Sequence, residues 1–494
     1  MKLGALFQDV PVLEKIHWDP HRSIKKITSD SRAIEPGDIF VACPGSRMDG
    51  HDFLGQAVLA KASAVIFERM PEINLPSRVT GLRVENSQAC LAEILNRFYD
   101  YPDRKVKLVG VTGTNGKTTI AYLLHQILRE KARAAYVGTL WYELPHGKIQ
   151  APNTTPGAEV LIPLLKQMQH ERVAHCVMEV SSHALEQRRV HGLEFELAIF
   201  TQLTRDHLDY HKDMEHYFQS KRLLFSSKPF PRQILINKDC LYGQRLLEEH
   251  PNAKSVSLKG PADYEVVSFS PSFQGSQFRL RFKGREVPFH IRLPMRHNVA
   301  NVATVLAALH LMGLDPEEFR GVLSEIHGIP GRMEAVSTLE ENFQVFVDYA
   351  HTPDAVENVL SEARKLNPKR VLALLGCGGD RDRGKRPLMA QMACRYSDIV
   401  IFTSDNPRSE DPEAILREIQ KGVPAAGKAI QVIEILDRHE AIEKLVSLAE
   451  PGDVLFVLGK GHENYQIIGD KKNPFDDRLV VQECLKRKSG VFLS

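Results

Sequence analysis

The hydrophobic positions of this chain fall into short apolar runs that alternate with amphipathic segments. Residues 106–111 are apolar apart from Lys107 and Gly110, residues 176–178 are apolar throughout, and both runs are typical of buried strands. Residues 120–128 instead place apolar side chains at helical spacing. Buried strands that alternate with helices are typical of mostly parallel sheets. The pattern therefore predicts an α/β protein.

This alternation occurs in three successive segments, which predicts three domains with bounds 1–105, 106–333 and 334–494. In the first segment, a helical pattern at 56–61 lies between two predicted strands, 39–42 and 64–67. The predicted strands of the second are 106–111, 134–137, 176–178, 197–200 and 233–236. Those of the third are 344–347, 371–375, 398–402 and 454–458. We expect the third segment to be doubly wound, with binding loops at the carboxyl ends of its strands.

The pattern changes between residues 264 and 293. Residues 276–282 alternate apolar and polar side chains, Lys283-Gly284 supplies a turn, and residues 287–291 alternate again. This predicts an antiparallel hairpin and hence a small accessory sheet on the central domain. An Ala-rich amphipathic helix is predicted next, over residues 298–311.

Composition narrows the protein class without identifying it. The 494 residues are 43% hydrophobic and 26% charged, with a net charge of +2, which gives no general reason to expect nucleic acid as a partner. The seven cysteines contain no C-x-x-C pair, so we expect neither a disulfide framework nor a structural zinc site. No run approaches the roughly 18 apolar residues of a membrane helix, and the first residues lack the apolar core of a signal peptide. We expect a cytoplasmic protein without membrane insertion.

The first candidate site follows the strand predicted at 106–111. Gly110, Gly113 and Gly116 break the apolar run, and Lys117-Thr118 precede the amphipathic helix. Backbone N–H groups of such a loop, together with the helix N-terminus, bind phosphate, Lys117 reaches the terminal phosphates, and the Thr118 hydroxyl can hold Mg²⁺. The general nucleotide-binding pattern G-x-x-x-x-G-K-[ST] has a glycine at the position of Val111 in this chain. The alternative interpretation is therefore a glycine-rich turn that only joins a strand to a helix. We predict an ATP site, and we name residues 113–119 the phosphate loop.

Further polar residues follow other predicted strands. Glu179 ends one strand and could ligate a metal, whereas His207 by itself is as well explained by a structural role. From its sequence pattern alone, Lys221 is typical of a solvated lysine on a helix. In the third segment, four loops follow strands, at 348–353, 376–386, 403–408 and 459–463. Their arginines suit a carboxylate and their acids an ammonium group, which together fit an amino acid, although the basic run at 376–386 could be an ordinary charged surface.

Ten motifs in this order resemble the Mur ligases of bacterial cell-wall synthesis, nearly from end to end. They are TGTNGKTT (112–119), NTTP (153–156), MEVSSH (178–183), TRDHLDYH (204–211), RHNVANV (296–302), GRME (331–334), DYAHTP (348–353), GCGGDRDRGKRP (376–387), DNPR (405–408) and GKGHE (459–463). The resemblance implies a uridine-nucleotide domain, a central ATPase domain of the P-loop type and a C-terminal domain similar to a dinucleotide-binding (Rossmann-like) fold.

The resemblance also implies a reaction. ATP would phosphorylate the terminal carboxylate of UDP-N-acetylmuramoyl-L-alanyl-D-glutamate, and the amine of an amino acid would then displace phosphate from the acyl phosphate. The DNPR motif is typical of members that add meso-2,6-diaminopimelate. Lysine-adding members typically lack it, since lysine has no carboxylate at its far end for Arg408 to pair with.

Site residues are carried over position by position. The implied catalytic residues are Lys117, Glu179, His207 and Lys221. The implied ATP contacts are Gly113, Thr114, Asn115, Gly116, Lys117, Thr118, Thr119, Asn301, Arg332, Asp348 and His351. The implied UDP-muramoyl-dipeptide contacts are Ser31, Ser46, Arg47, Met48, Asn153, Thr154, Thr155, Ser181, Gln187 and Arg189. The implied diaminopimelate contacts are Arg381, Asp405, Asn406, Pro407, Arg408, Gly459 and Glu463. Lys221 matches a lysine that the family carries as a CO₂-derived carbamate, and two Mg²⁺ ions would be held by Thr118, Glu179, His207 and carbamylated Lys221.

Three alternatives stay open at this point: a lysine-adding ligase, a folylpolyglutamate-type synthetase, and a non-catalytic ATP-binding regulator with the same fold. The NTTP and MEVSSH motifs speak against folate, DNPR speaks against lysine, and the full phosphate and metal set speaks against a regulator. We further expect a monomer.

Overall fold

The computed structural model describes residues 1–45, 48–208, 210–326, 328–337, 341–424 and 430–488. The chain forms two compact units, the first comprising residues 1–113, 124–200 and 215–235 and the second 114–123, 201–214 and 236 onward. The three domain boundaries expected from sequence stay a prediction. Ser46 and Arg47, which were predicted to contact the uridine nucleotide, lie outside the described residues.

The amino-terminal part of the first unit is a five-stranded sheet with helices against it. Strand order is β1-β5-β4-β3-β2, and all neighbours are parallel except β1 and β5. The strands are β1 (Glu14–Ile16), β2 (Ile27–Thr28), β3 (Ile39–Val41), β4 (Ala64–Phe67) and β5 (Thr80–Arg83). The helices are α1 (Leu3–Leu6), α2 (Leu54–Leu59) and α3 (Ser87–Phe98). Helix α3 begins after Asn86, whose side chain accepts a hydrogen bond from the Ala89 N–H.

A second sheet of the first unit has the order β11-β6-β10-β7-β8-β9, parallel from β11 to β7 and antiparallel beyond it. The strands are β6 (Lys107–Thr112), β7 (Ala134–Val137), β8 (Tyr142–Leu144), β9 (Gly147–Ile149), β10 (His175–Glu179) and β11 (Phe195–Phe200). The helices are α4 (Lys117–Arg129), α5 (Ala158–His170), α6 (Ser182–Glu186) and α7 (Met214–Ser226). The unit boundary crosses α4 and also strand β12 (Gln233–Asn237).

Gly110 differs from the expectation that it breaks the apolar run, because it lies inside β6, between Met178 of β10 and Ala198 of β11. A Cβ at this position would be 2.8 Å from the ring of Phe195. Gly110 therefore makes room for an aromatic side chain, and only Gly113 and Gly116 belong to the phosphate loop.

The second unit contains the predicted accessory sheet. Strands β14, β15 and β16 are antiparallel, and β13 pairs parallel with β14. The elements of this part are α8 (Leu241–Glu249), β13 (Lys254–Ser257), β14 (Tyr264–Pro271), β15 (Ser276–Phe282), β16 (Arg285–Ile291), α9 (Arg296–Leu311) and α10 (Arg320–Glu325). Alternate residues of β15 are buried and exposed along its whole length. The hairpin prediction is confirmed.

The carboxyl-terminal part of the second unit is a six-stranded sheet of order β17-β18-β22-β19-β20-β21, parallel except for β17. Its strands are β17 (Glu334–Ala335), β18 (Gln344–Asp348), β19 (Val371–Cys377), β20 (Ile399–Ser404), β21 (Gln431–Glu434) and β22 (Val454–Leu458), with a separate hairpin of β23 (Tyr465–Ile468) and β24 (Lys471–Pro474). The helices are α11 (Pro353–Lys365), α12 (Lys385–Tyr396), α13 (Pro412–Gln420), α14 (Arg438–Ser447) and α15 (Asp477–Lys488).

Successive residues of β19 enter two different cores, because a strand presents alternate side chains to opposite faces. Val371, Ala373 and Leu375 belong to one cluster, whereas Leu372 and Leu374 belong to the other. This explains why the strand is apolar without alternation. The predicted α/β class, with mostly parallel sheets and a small antiparallel one, is confirmed. Within the described ranges, no helix combines the length and the apolarity needed to cross a membrane.

Arg438 and Asp477 form a fully buried ion pair between the first residues of α14 and α15. Both side chains have 0% exposure, and two bonds of 2.8 and 2.7 Å join the guanidinium to the carboxylate. Arg438 also donates to the carbonyl of Leu458 at the end of β22. The pair therefore fixes both helix starts at the carboxyl end of the sheet.

We expect Asp477→Asn to lower the free energy of unfolding of the full chain by about 3–5 kcal/mol, because it leaves the guanidinium buried without its counter-charge. Urea denaturation measures this change. The control is Glu483→Gln on the same helix, whose partner Arg487 is about as exposed as Glu483 itself (54% and 53%). It should cost no more than about 1 kcal/mol. Equal costs for the two variants would contradict the role assigned to the buried pair.

Candidate functional site

The phosphate loop lines a cavity of about 370 Å³ in the second unit. This volume lies in the range of small-molecule sites. The lining residues are Thr114, Asn115, Gly116, Lys117, Thr118, Thr119, Ile120, Thr201, Gln202, Asn237, Asp239, Cys240, Leu258, Lys259, Arg296, His297, Asn298, Ala300, Asn301, Thr304, Arg332, Asp348, Ala350, Ala355, Asn358, Val359 and Glu362. Of the predicted ATP contacts, all but Gly113 and His351 line this cavity.

Backbone and side-chain bonds hold the phosphate loop in place. The Thr114 N–H donates to Gln202 (2.8 Å), and the Thr201 hydroxyl donates to the carbonyl of Asn115 (2.6 Å). The Lys117 ammonium reaches back to the carbonyl of Thr114 at 2.9 Å. Helix α4 starts at Lys117, so its amino end faces the same loop. A loop with a cation and a helix amino end is suited to bind a polyphosphate.

Both the backbone conformation and the packing require a glycine at position 116. Its φ is +87°, and a Cβ here would lie 2.7 Å from the Oδ1 atom of Asn301 on helix α9. Because of this close approach, the loop and α9 can form adjoining walls of the cavity.

Arg332 and Asp348 form another part of the cavity wall. The Arg332 guanidinium lies 3.3 Å from the Thr118 hydroxyl and 4.7 Å from the centre of the Tyr349 ring. The Asp348 carboxylate accepts the N–H groups of Met333 and Ala350 at 2.7 and 2.8 Å. Burial raises the pKa of Asp348, while the positive charge of Arg332 opposes this shift.

Two histidines of the second unit have different surroundings. Burial lowers the pKa of His351, whose Nδ1 lies 2.7 Å from the carbonyl of Tyr349. His207 has its Nε2 3.4 Å from the carboxylate of Asp206 and is 42% exposed. Burial raises the pKa of Asp206, but the charges of His207 and His351 outweigh burial, and the net pKa is lowered. His207 is not among the cavity-lining residues, and its assignment as a metal ligand stays a prediction.

Glu179 is the centre of a polar network in the first unit. It ends β10, pairs in register with Val111 of β6, and has no exposed surface. Its carboxylate accepts the Tyr136 hydroxyl and the Thr139 N–H, both at 2.7 Å, and the Thr139 hydroxyl at 3.1 Å. A carboxylate in this position has the hard oxygens that Mg²⁺ prefers.

The NTTP segment joins the same network. Thr139 and Thr154 share a hydrogen bond of 3.1 Å, and the Thr155 hydroxyl donates to the Glu179 carbonyl at 2.8 Å. The Ser181 N–H donates to the Thr155 hydroxyl at 3.0 Å, and the Asn153 carbonyl accepts the Tyr142 hydroxyl.

Arg189 completes this part of the unit. Its guanidinium donates to the Thr155 carbonyl at 2.7 Å and makes two bonds to the Gln187 side chain at 3.1 and 2.7 Å. Six of the predicted UDP-muramoyl-dipeptide residues, four from the NTTP and MEVSSH motifs and two from the segment 187–189, are therefore brought together near Glu179.

Lys221 is not the solvated helix lysine that its pattern suggests. It is 1% exposed, donates to the carbonyl of Gly113 at 2.8 Å, and lies 4.5 Å from the centre of the Tyr217 ring. Gly113 follows β6, and Glu179 pairs with the carboxyl end of β6. Gly113, to which Lys221 donates, and Glu179 therefore lie at the same end of this sheet.

The remaining predicted uridine contacts lie in the amino-terminal sheet region. Ser31 begins a single helical turn after Asp30, whose side chain accepts the Arg32 N–H. The neighbouring Ser29 donates its N–H to Glu159 of α5 at 2.8 Å, four residues beyond Thr155. Met48 is 69% exposed.

Asn406 and Glu463 form the centre of a group of polar side chains in the loops where the amino-acid pocket was predicted. The Asn406 amide donates to the Glu463 carboxylate at 2.8 Å, and the fully buried Lys460 lies 3.2 Å from the same carboxylate. Burial raises the pKa of Glu463, and the charge of Lys460 opposes this shift. Gly459 is needed beside them, because a Cβ would come within 2.7 Å of an Asp405 carboxylate oxygen.

Arg408 carries the basic side of this pocket. It follows Pro407 with a positive φ of 52°, and its guanidinium donates to the carbonyl of Gly379 at 2.8 Å. Gly378 permits this approach, since a Cβ would meet the Arg408 guanidinium at 3.0 Å. Arg381, on the same glycine loop, donates to the Asp380 carbonyl and is exposed. Hydrogen bonds therefore join the DNPR loop to the GKGHE loop and to the glycine loop, and the use of these residues as an amino-acid site stays a prediction.

The basic run at 376–386 has two roles. Arg386 is fully buried and pairs with Glu410 at 2.8 Å and Glu418 at 2.7 Å, and Arg383 pairs with Glu418. These two arginines anchor the loop to the DNPR segment and α13. The sequence allowed two interpretations of this run, a charged surface or an anion site. No single interpretation applies to all of its residues, because Arg383 and Arg386 pair with acids of the protein.

Several cavity and pocket residues were not predicted. Arg296, His297 and Asn298 line the cavity, but from their RHNVANV motif only Asn301 had been carried over as an ATP contact. Asn237 ends β12 and Asp239 follows it, so their position at the carboxyl end of a strand was the available signal. Lys460 lies inside GKGHE, but nothing in the pattern distinguishes a buried lysine from an exposed one.

Three protein-family models of Mur ligases match successive segments of the chain. They are the Mur ligase family, catalytic domain, over residues 23–104, the Mur ligase middle domain over 111–309, and the Mur ligase, glutamate ligase domain, over 331–461. A UDP-N-acetylmuramoyl-L-alanyl-D-glutamate–2,6-diaminopimelate ligase of Clostridium acetobutylicum is 38% identical, covering 98% of this chain and 99% of the relative. The corresponding ligase of Cytophaga hutchinsonii is 42% identical over 94% of each chain.

Solved structures agree. A UDP-N-acetylmuramoyl-L-alanyl-D-glutamate–2,6-diaminopimelate ligase shares 31% identity and covers 99% of each chain, with a TM-score of 0.71. A MurF ligase of Thermotoga maritima in complex with ADP has a TM-score of 0.59 and 17% identity, covering 94% of this chain and 97% of the other, which is a likeness of fold.

We expect Gly116→Ala to weaken ADP binding at least about tenfold, because the added Cβ separates the loop from Asn301 and strains the backbone. Calorimetric titration of the full chain measures the dissociation constant. Gly313→Ala is a matched control, since Gly313 has a φ of +84° but no atom within 4 Å of the added Cβ. Both variants should lose the stability that a side chain at positive φ costs, and only Gly116→Ala should lose affinity. Equal ADP affinities in the two variants would contradict the assigned role of the close approach.

Proposed function

Because the chain belongs to the Mur ligase family, we propose that it joins meso-2,6-diaminopimelate to UDP-N-acetylmuramoyl-L-alanyl-D-glutamate at the expense of ATP. Its role would be in bacterial peptidoglycan synthesis. The relatives that carry this name match over nearly the whole of both chains, so the proposal covers all parts of the protein.

One observation supports this substrate most directly. The DNPR loop is joined to the glycine loop at 376–381 by Arg408 and to the GKGHE loop by the hydrogen bond between Asn406 and Glu463. Diaminopimelate carries a carboxylate and an ammonium group at each end. Arginine pairs with carboxylates through two parallel bonds, and glutamate accepts from an ammonium.

The nucleotide cavity supports ATP as the energy source. A carboxylate is a poor electrophile, and transfer of the γ-phosphoryl group turns one of its oxygens into a good leaving group. The amine of diaminopimelate then attacks the acyl carbon, phosphate leaves with the C–O bond electrons, and the amine proton is released. Lys117 and the α4 amino end would stabilise the negative charge of the phosphates during transfer.

Two Mg²⁺ ions belong to this proposal. The residues fit such ions, since Thr118 offers a hydroxyl in the cavity wall and Glu179 offers a buried carboxylate. Bound Mg²⁺ would offset the repulsion between the ATP phosphates and the attacking carboxylate. We assign His207 to the same task on the family resemblance.

We also propose that Lys221 carries a carbamate. Its amine would add CO₂ and release a proton, which replaces a cation by an anionic group with two oxygens. The near-complete burial of Lys221 beside the carboxyl end of β6 supports this, because an ordinary surface lysine would extend into water. A monomeric state and a cytoplasmic location remain part of the proposal.

Selection of diaminopimelate over lysine would rest on Arg408. Lysine would present its ε-ammonium where diaminopimelate presents a carboxylate, so two cations would face each other and the guanidinium would lack its partner. Unpaired or opposed charges in a binding site cost several kcal/mol, roughly 10³-fold or more in selectivity.

We expect release of phosphate from ATP only when UDP-N-acetylmuramoyl-L-alanyl-D-glutamate and meso-diaminopimelate are both present. A panel of amino acids assayed for ATP-dependent ligation measures this. Equal or faster turnover with L-lysine would contradict the proposed substrate, and phosphate release that does not depend on the amino acid would contradict the proposed reaction.

In the same assay, Arg408→Lys should raise KM for diaminopimelate at least about tenfold without changing KM for ATP. Arg417→Lys, an exposed arginine of α13, is the matched control.

We expect Lys221→Ala to abolish ligation and to regain part of it when a short carboxylate such as acetate is added, because the added anion substitutes for the carbamate. The initial rate of phosphate release measures the rescue. Lys228→Ala, which removes an exposed lysine near the end of α7, should keep wild-type activity with or without acetate. Full activity of Lys221→Ala without an added carboxylate would contradict the carbamate.

A further inference from the structure

Asp354 connects two loops to helix α11 in the second unit. One of its oxygens, Oδ2, accepts the side-chain amide of Asn115 at 3.1 Å and the hydroxyl of Thr204 at 2.9 Å. The same atom accepts the amide of Asn358, one turn further along α11, at 3.1 Å. Asn115 belongs to the phosphate loop and is 239 residues away along the chain.

The position of Asp354 is not explained by the needs of its own helix. An acid near a helix start often caps the first N–H groups. In α11, however, the cap is Thr352, whose hydroxyl accepts the N–H of Ala355. The carboxylate of Asp354 is therefore available for the loops, and the residue is partly buried at this point.

Helix α11 also forms part of the nucleotide cavity. Ala355, Asn358, Val359 and Glu362 line it, and the phosphate loop lines it as well. The carboxylate of Asp354 therefore joins two walls of the same cavity. A carboxylate that accepts from several donors is a strong and directional link.

Thr204 extends this link to a third segment. The Thr204 N–H donates to the Thr114 hydroxyl at 3.1 Å, and the Thr114 hydroxyl donates to the Thr204 carbonyl at 3.2 Å. Asn115 is thus linked directly to the carboxylate of Asp354, and Thr114 is linked to it through Thr204. Asp354 itself is not among the residues that line the cavity.

We propose that Asp354 is a positioning residue that holds the phosphate loop against helix α11 and thereby sets the affinity for the nucleotide. The inference rests on the proposed function only in that the cavity binds ATP or ADP. Because a site formed in advance loses less entropy when the ligand binds, release of the loop weakens binding without removing any group that touches the ligand.

The experiment compares variants of the full chain by calorimetric titration with ADP. We expect Asp354→Ala to raise the dissociation constant roughly tenfold, since it removes the acceptor shared by Asn115 and Thr204. Asp354→Asn keeps an oxygen acceptor and should stay within about threefold of the wild type. An unchanged ADP affinity in Asp354→Ala would overturn the proposal, as would equal losses in the alanine and asparagine variants.

A matched control separates positioning from stability. Glu357 is another acid of α11, but its carboxylate accepts the Tyr396 hydroxyl. Glu357→Ala should leave ADP affinity unchanged, and a loss as large as that of Asp354→Ala would overturn the specific link. If Asp354→Ala does not fold, Asp354→Glu replaces it, because the charge is kept while the acceptor moves by one methylene. Its ADP affinity should fall as well, and wild-type affinity would overturn the proposal.

A double-variant comparison tests the route. If Asp354 acts through Asn115, Asp354→Ala should weaken ADP binding much less in an Asn115→Ala background than in the wild type. Full additivity would overturn this route. In steady-state assays Asp354→Ala should raise KM for ATP and leave KM for diaminopimelate unchanged. If the wild type fails to ligate diaminopimelate but the ADP affinities follow the expected order, the proposed substrate fails and the role of Asp354 stands.

Discussion

Glu179 has no exposed surface, so its carboxylate depends on donors supplied by the protein. Leaving such a group without partners would cost several kcal/mol. Tyr136 and Thr139 supply them from β7 and from the turn that follows it. The same requirement explains Gly138 between them, since a Cβ there would lie 2.4 Å from the carboxylate. The path of the chain after β7 is thus constrained by one buried acid.

Buried carboxylates constrain the second unit in the same way. Asp348 ends β18 and accepts two backbone N–H groups, one of them from Met333, which directly follows Arg332. The acid therefore fixes the segment that presents Arg332 to the nucleotide cavity. Asp354 repeats the arrangement with side-chain donors from remote loops. In each case a local polar requirement connects segments that are distant in sequence, and the cavity results from these connections.

The proposed amino-acid site shows how similar residues acquire different tasks. Arg386 is fully buried between Glu410 and Glu418, and this ion-pair group joins the glycine loop to the DNPR segment. Arg408 also donates to that loop, at the carbonyl of Gly379. Motif recognition found the run of basic residues, but the assignment of one arginine to structure and another to the pocket depends on which acids lie within reach. That depends on α13, which the run itself does not specify.

Local pattern was sufficient for the buried strands β4, β7 and β22, because a strand with both faces covered must be apolar throughout, and for β15, whose side chains alternate between apolar and polar; all four have the bounds expected from sequence. It was not sufficient for the hairpin of β23 and β24, since Lys471–Pro474 are all exposed and have no apolar pattern. The motifs determined which residues to expect in the phosphate loop and in the pocket. Only the tertiary structure decided that Lys221 is buried and that Asp354 accepts from Asn115, because both depend on contacts between segments more than a hundred residues apart.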